Sequence, residues 1–253
     1  MKLRYISSYF ALAFLFFSIE PTKASTLNNL YTGLAVSWDH VGGRSYGVIT
    51  NHAGSHLIFS NGNSLRADKM NGYAFIGTVY TLPQRSIFIS PEFQIGQGNV
   101  DCQIKNTAAD PNLILSSGPL QRRLDLKLNR QLTTSFVGRI GRKLFNSLQL
   151  YGLLGVEASR FKYSYVVENV DAISGEINGF KTFLKSKWKL APLFGIGIDK
   201  AINKFRIGLE YRFSSYGPIK ASRTVFQSAS TEWVSTKVKP YISSLMLKFC
   251  YGV

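Results

Sequence analysis

The chain has 253 residues, with 30 Lys and Arg against 14 Asp and Glu, a net charge of +16, and two cysteines. That length accommodates one large β domain or two small ones, and past the N-terminus no run is long and apolar enough for a membrane-spanning helix. The cations, among them Arg122-Arg123, Lys185, Lys187, Lys189, Lys237 and Lys239, are dispersed and form no basic helix or nucleic-acid motif, so DNA and RNA are not expected as partners.

Lys2 and Arg4 precede the apolar run Tyr9–Phe17, and Thr22-Lys23-Ala24 supplies a cleavage site before Ser25. A charged start, a short apolar core and a small-residue ending make a secretory signal. Residues 1–24 are therefore expected to be removed, leaving 25–253 as one mature domain. Its net charge falls to +14 with the loss of Lys2, Arg4, Lys23 and Glu20. An exported chain with dispersed cations suits an anionic membrane surface, such as lipopolysaccharide phosphates.

Beyond the signal the dominant pattern is strict alternation, which predicts strands with one apolar and one polar face. Leu30–Val41 sets Leu34, Val36 and Trp38 against Gly33, Ala35, Ser37 and Asp39. A long polar segment runs to Lys69 and contains two apolar pieces, Tyr46–Thr50 and His56–Ser60. Met70–Leu82 is the second predicted strand, Pro83-Gln84-Arg85 a short turn, and Ser86–Gly98 the third strand, where Ile87, Ile89, Phe93 and Ile95 oppose Ser90, Glu92 and Gln94. Pro91 inside this strand would suit a sheet edge. Asn99–Pro119 is again long and polar. Leu124–Leu144 follows, with Phe136, Gly138 and Ile140 against Ser135, Val137, Arg139 and Gly141.

A brief link, Phe145-Asn146-Ser147, leads into Leu148–Val166, where Leu148, Leu150, Leu154, Val156 and Ala158 oppose Gln149, Tyr151, Gly155, Glu157 and Ser159. Val167–Leu184 is the third long segment. Lys185–Ala201 then sets Trp188, Leu190, Phe194, Ile196 and Ile198 against Lys187, Lys189, Gly195, Gly197 and Asp199. Ile202-Asn203-Lys204 turns tightly into the clearest strand, where Phe205, Ile207, Leu209, Tyr211 and Phe213 alternate with Arg206, Gly208, Glu210 and Arg212. After the long segment Gly217–Trp233, Thr236–Val253 closes the chain, with Tyr241, Leu245, Leu247, Phe249 and Tyr251 opposite Ser244, Met246, Lys248 and Cys250.

Two regularities select the architecture. Links alternate long and short along the whole chain, as in an up-and-down barrel with long loops on one rim and tight turns on the other. The polar faces also carry mid-strand charges, Glu92, Arg139, Glu157, Glu210 and Arg212, which a dry sandwich core would hold only at severe desolvation cost. The prediction is all-β: a transmembrane up-and-down antiparallel barrel of eight strands in the outer membrane of a Gram-negative cell, with long outer loops and short periplasmic turns. Ten strands is the alternative, if Tyr46–Thr50 and His56–Ser60 form an extra spanning hairpin instead of extensions above the membrane. Trp38, Tyr80, Tyr165, Trp188, Tyr216, Tyr241 and Tyr251 are expected in interfacial girdles. Cys102 is expected in an outer loop and Cys250 at the other end of the last strand, too far apart for a disulfide.

Four segments carry a resemblance: Phe136-Val-Gly-Arg-Ile-Gly141, Leu150-Tyr-Gly-Leu-Leu-Gly-Val156, Phe194-Gly-Ile-Gly-Ile-Asp199 and Leu209-Glu-Tyr-Arg-Phe-Ser-Ser-Tyr-Gly217. In composition and order they resemble the opacity-protein or OmpA-like small outer-membrane barrels, in particular the alphaproteobacterial surface-antigen and hemin-binding members. The match covers the second half well and the first half loosely. One departure is the ending Cys-Tyr-Gly-Val: members usually end on an aromatic residue read by the barrel-assembly machinery, and here Leu245-x-Leu247-x-Phe249 reproduces that ending four residues early.

The resemblance implies a non-enzymatic surface protein, a membrane scaffold or surface antigen whose loops meet host molecules or ligands. Haem capture is the alternative it implies, with His52 and His56 of the first long segment offering axial nitrogens, set against two solvated loop histidines. A lipid-modifying hydrolase built on His56 and Ser60 lacks a fixed base and oxyanion donors. A diffusion channel would need more strands than eight. Glu92, Arg139, Glu157, Glu210 and Arg212 are read as a structural charge network in the lumen, and no catalytic or metal-ligating set is assigned. His40, at a strand end, is read as structural or interfacial.

Overall fold

The structure, a computed structural model, describes residues 30–50, 56–59, 64–82, 86–108, 114–115, 118–144, 147–171, 177–227 and 230–252. The expected signal segment, residues 1–24, lies outside them. The described residues form twelve strands, in chain order β1 Leu30–Thr50, β2 His56–Phe59, β3 Ser64–Thr78, β4 Tyr80–Thr81, β5 Ile87–Ala108, β6 Ile114–Leu115, β7 Gly118–Lys143, β8 Leu148–Asp171, β9 Ile177–Ile202, β10 Phe205–Ser215, β11 Ile219–Gln227 and β12 Ser230–Gly252. Eight of them close a ring of antiparallel neighbours, β1-β3-β5-β7-β8-β9-β10-β12, sealed by the long β1–β12 ladder from Tyr31↔Gly252 to Thr50↔Trp233. The others are short additions to that ring. The pieces at Tyr46–Thr50 and His56 onward are the tip of β1 folding back through β2, with Gly47↔Phe59 to Thr50↔His56. They extend the wall upward and add no spanning hairpin.

One rim of the ring is made of tight turns. Ser86, Ser147 and Asn203 take positive φ there (51°, 66° and 56°), a conformation that asparagine tolerates better than most residues. Backbone bonds tie this rim together: Leu82 N–H to the Ile87 carbonyl at 2.9 Å, Lys143 N–H to Ser86 at 2.8 Å and Leu144 N–H to Leu148 at 2.7 Å. Pro91 lies within β5 rather than at an edge. The β3–β5 ladder stops at Gly77↔Glu92 and pairing resumes only at Tyr80↔Ile89, so the interval spans the residue that has no N–H to give.

The opposite rim carries the long connections, and much of their length is strand. Alternation continues past the membrane level, and so do the ladders: Val100↔Arg130 to Ala108↔Arg122, and Asn129↔Lys162 to Leu120↔Asp171. Cys102, expected in a loop, is therefore a buried β5 residue, and His40, expected at a strand end, is inside β1. Not all strand pairs continue upward. The β3–β5 ladder reaches only Gly72↔Gln97, and the β9–β10 ladder only Ser214↔Leu193. Above those points the wall divides into two four-stranded sheets, β5-β7-β8-β9 and β3-β1-β12-β11, which face each other.

Two layers follow, with opposite polarity. In the lower one the outward positions are apolar and bare: Leu34, Trp38, Met70, Phe93, Ile140, Leu154, Phe194, Ile196, Leu209 and Phe249 are among more than thirty exposed large hydrophobics. On β10 the band runs from Phe205 to Phe213, close to the roughly 9–11 residues a tilted membrane strand needs. A water-soluble surface does not expose a continuous belt of this kind; lipid covers it. In the upper layer the facing sheets enclose Val41, Val100, Cys102, Leu126, Leu128, Phe161, Tyr163, Ala191, Ile219, Val238 and Ile242, while Lys127, Arg160, Lys162 and Lys239 point out.

Strand β7 shows how one sequence serves both layers. Leu126, Leu128, Leu132, Phe136 and Ile140 share one parity, yet Leu126 and Leu128 are buried inside and the other three are exposed outside. A register shift between Arg130 and Thr133 against β8 inserts one extra residue, and such a bulge turns every later side chain to the other face.

Candidate functional site

Between the two layers the lumen holds a belt of ionised side chains, buried to within a few per cent of full enclosure. The alternation that places Phe and Leu against lipid on β5, β7, β10 and β12 necessarily turns Glu92, Arg139, Glu210, Arg212 and Lys248 inward. They form one cluster. Arg139 Nη2 lies 2.6 Å from Glu92 Oε2 and 2.8 Å from Glu210 Oε1. Lys248 Nζ meets Glu92 Oε1 at 2.5 Å and Glu210 Oε1 at 3.4 Å. Arg212 donates from Nε to Glu210 Oε2 at 2.7 Å and from Nη1 to Gln94 Oε1. Tyrosines add hydrogen bonds to the same acids: Tyr31 donates to Glu92 at 2.8 Å, and Tyr151 is shared between Asp199 at 2.7 Å and Glu210 at 2.9 Å.

Glu157 belongs to a second cluster nearer the upper layer. Arg130 sits between Asp39 and Glu157, at 2.7 and 3.2 Å. Asn71 donates to Asp39 at 2.7 Å, while Ser214 and Tyr216 donate to Glu157. Tyr216, expected in an interfacial girdle, is thus a lumen residue that is 3% exposed. The strand β10 ends one residue earlier, and Tyr216 N–H bonds the Pro240 carbonyl at 3.0 Å before the chain resumes as a strand along β12. Trp38, Tyr80, Trp188, Tyr241 and Tyr251 do face outward.

Burying one ion pair rarely stabilises a protein, because desolvation offsets the Coulomb gain unless further hydrogen bonds complete the shells. Here each acid meets more than one donor. Acids and bases also nearly balance: Asp39, Glu92, Glu157, Asp199 and Glu210 face Arg130, Arg139, Arg212 and Lys248. The inward glycines of the repeated strand motifs make room for the tyrosines. A Cβ on Gly197 would sit 2.5 Å from the Tyr151 ring, and one on Gly141 2.5 Å from Tyr151 Cβ.

Of the five lumen charges read from the sequence, four are in the lower cluster and Glu157 is in the upper. Asp39, Asp199 and Lys248 were legible as polar-face residues, although their ion pairing was not. Arg130 carried no signal, because the bulge beside it breaks the parity by which a face is read. Of the proposed haem ligands, His52 lies outside the described residues and His56 opens β2 opposite Thr50; Ser60 also lies outside. His40 Nδ1 is 2.7 Å from Asp68 Oδ1 on the outer face. Both cysteines are free and buried, in different layers. Burial, with Asp101 beside it, pushes the Cys102 thiol up to about 12. Among the described residues no group of three or more His, Cys, Asp or Glu is placed to hold a metal.

No family model and no curated protein matches the chain. Several solved outer-membrane structures are similar to it. The outer membrane protease OmpT of Escherichia coli has 11% identity and a TM-score of 0.44, covering 92% of this chain and 99% of its own. OprG of Pseudomonas aeruginosa has 14% identity and 0.42, covering 87% and 97%. AlkL, solved in lipid bilayers, has 18% identity and 0.42, covering 92% and 95%. Likenesses this distant decide nothing about activity. The apolar belt, the closed ring of eight strands and the polar lumen are properties of the chain itself, and they make it a transmembrane β-barrel of the small outer-membrane class.

Proposed function

We propose that the chain is a non-enzymatic surface barrel of a Gram-negative outer membrane, of the opacity or OmpA-like type and its alphaproteobacterial surface-antigen branch. It acts as a scaffold that holds its upper sheets and hairpins out to host molecules or ligands. The observation that carries this reading is the filled lumen. Two interlocked ion clusters cross the interior, with the apolar interior of the upper sheets above them and Phe88, Val79 and Cys250 in the apolar cluster toward the turn rim. An eight-stranded ring has room for side chains and none for a pore, so exchange with the surroundings falls to the outer surface. Insertion would pass through the barrel-assembly machinery, with Leu245, Leu247 and Phe249 outward on the closing strand as the aromatic ending.

The test is single-channel conductance of refolded protein in a planar bilayer. Silence from protein shown to be inserted is the expected result, and steady large openings would move the function to diffusion. Haem titration of wild type and His52→Ala/His56→Ala addresses the ligand-capture alternative. A saturable absorbance shift lost in the double variant would transfer the proposal to haem binding.

A further inference from the structure

The upper wall is open along one side between β9 and β11. β10 ends at Ser215 and its last pair with β9 is Ser214↔Leu193; after Tyr216, Gly217 and Pro218 the chain resumes as β11, which pairs with β12 alone. What crosses the seam is lysine. Lys189 Nζ donates to the Pro218 carbonyl at 2.8 Å and Lys187 Nζ to the Lys220 carbonyl at 3.4 Å.

Lys185, Lys187 and Lys189 alternate along β9 on the face opposite Trp188 and Leu190, so their ammonium groups project into the seam and not onto the lipid face. On the other bank Lys220 is the direct cross-strand neighbour of Lys237, an arrangement of like charges that destabilises a sheet unless an anion intervenes. Phe161, Tyr163 and Ile219 line the crevice together with Lys185, Lys187 and Lys220. The height matters as much as the charge. Lys189 lies between Trp188 and Leu190, which are bare on the lipid face at 52% and 66% exposure. With a strand rise of about 3.3 Å per residue, Lys187 and Lys185 then climb through a headgroup layer of roughly 5–7 Å.

We propose that the β9–β11 seam binds the phosphate headgroup of an anionic membrane lipid. Lys185, Lys187 and Lys220 supply the donors, and the acyl chains lie along Trp188 and Leu190. The site rests on the reading that the barrel stands in an anionic outer leaflet. A cation cluster set in the seam, level with the top of the lipid-facing belt, meets a membrane phosphate that enters between β9 and β11, and three partly exposed ammonium groups match the oxygens of a phosphomonoester.

The test places the refolded barrel in phosphatidylcholine nanodiscs doped with phosphatidic acid or lipid A and measures lipid retention by native mass spectrometry. Lys185→Gln/Lys187→Gln/Lys220→Gln is compared with Lys69→Gln/Lys127→Gln/Lys162→Gln, which removes equal charge elsewhere on the upper wall. At about 1 kcal/mol per cation near the surface, the seam variant should hold the phospholipid roughly 100-fold more weakly and the control less than about threefold. Equal losses in both variants, or none in the first, would overturn the proposal. So would equal competition by soluble glycerol phosphate, which would mean that the site does not read a lipid. A photoactivatable phosphatidic acid on wild-type protein gives a readout independent of the variants: labelling should fall on β9 and β11, and labelling spread around the barrel would sink the site. Conductance is measured on the same samples, so a conducting barrel that still retains lipid at the seam would separate failure of the scaffold reading from failure of the site.

Discussion

The lower and upper layers of this molecule are built by the same strands and solve opposite solvation problems. Below, lipid surrounds the wall, so Leu154 and Ile196 face out while Glu210, at 0% exposure, and Arg139, at 1%, face in. Above, water surrounds it, so Lys162 faces out while Phe161 and Leu128 face in. On β8 the exchange takes three residues, from Glu157 and Ser159 in the lumen to Phe161 in the upper interior. Side chains thus mark the membrane boundary more sharply than any change in backbone structure, which stays extended throughout. The difference teaches that an alternating strand specifies two faces and leaves the assignment of inside and outside to the solvent at each height.

The strongest way to break the comparison is to remove a charge from the belt. Glu210→Ala leaves Arg139, Arg212 and Lys248 short of a partner inside the barrel, and should cost about 3–5 kcal/mol in urea unfolding of the refolded protein. The hairpins should stay as accessible to antibody or protease as before. Unchanged stability would show that the cluster is hydrated and replaceable. The double variant Glu210→Ala/Arg139→Ala sharpens the result: a pair in contact should lose less than the sum of its single losses.

Next in size is the upper interior. Phe161→Ala empties the space beside Tyr216, whose ring is 4.9 Å away edge-on, and should cost about 3 kcal/mol. Because the layers are stacked, the expected signature is earlier proteolysis of the upper sheets while the membrane ring keeps its heat-modifiable gel mobility. Simultaneous loss of both would mean that the layers fold as one unit. A somewhat smaller effect distinguishes the two outer faces. Leu154→Arg in the lipid belt should cost about 2–4 kcal/mol, whereas Lys162→Leu above it should stay within about 0.5 kcal/mol. Comparable costs at the two sites would place the membrane boundary elsewhere.

The smallest effect concerns Cys102. Its thiol is pushed from 9.0 up to about 12 by burial, so the folded state favours the protonated form. That contribution is complete below pH 9 and is lost as pH rises toward 12. Iodoacetamide at pH 8 should label Cys102 only after unfolding, and Cys102→Ala should flatten the decline in stability above pH 9. Prompt labelling of native protein would show that the upper sheets open readily.

The fold was largely legible in the residues. Alternation of period two identified the spanning strands apart from Met70–Leu82, whose faces are ambiguous in the residues; the spacing of turns indicated eight strands in an up-and-down ring, and ionised residues at mid-strand pointed to a polar lumen. These are local properties: a strand's faces and a tight turn are fixed by residues a few positions apart, and they survive whatever the neighbours do. The long polar segments read as connections because polarity marks a loop, yet part of their length, such as Asp101–Ala108, is laddered strand that rises above the membrane level. The tertiary structure alone decided the rest. Arg130 meets Asp39 across 91 positions of sequence because the ring closes at β1 and β12 and a bulge turns β7 at the right height. Tyr216 enters the lumen because β10 stops where β9 continues, and that same mismatch opens the lysine seam. Which charges pair, where the wall divides and at what level polarity reverses all depend on strand stagger around a closed barrel. Stagger is a long-range quantity, and no short stretch of sequence carries it.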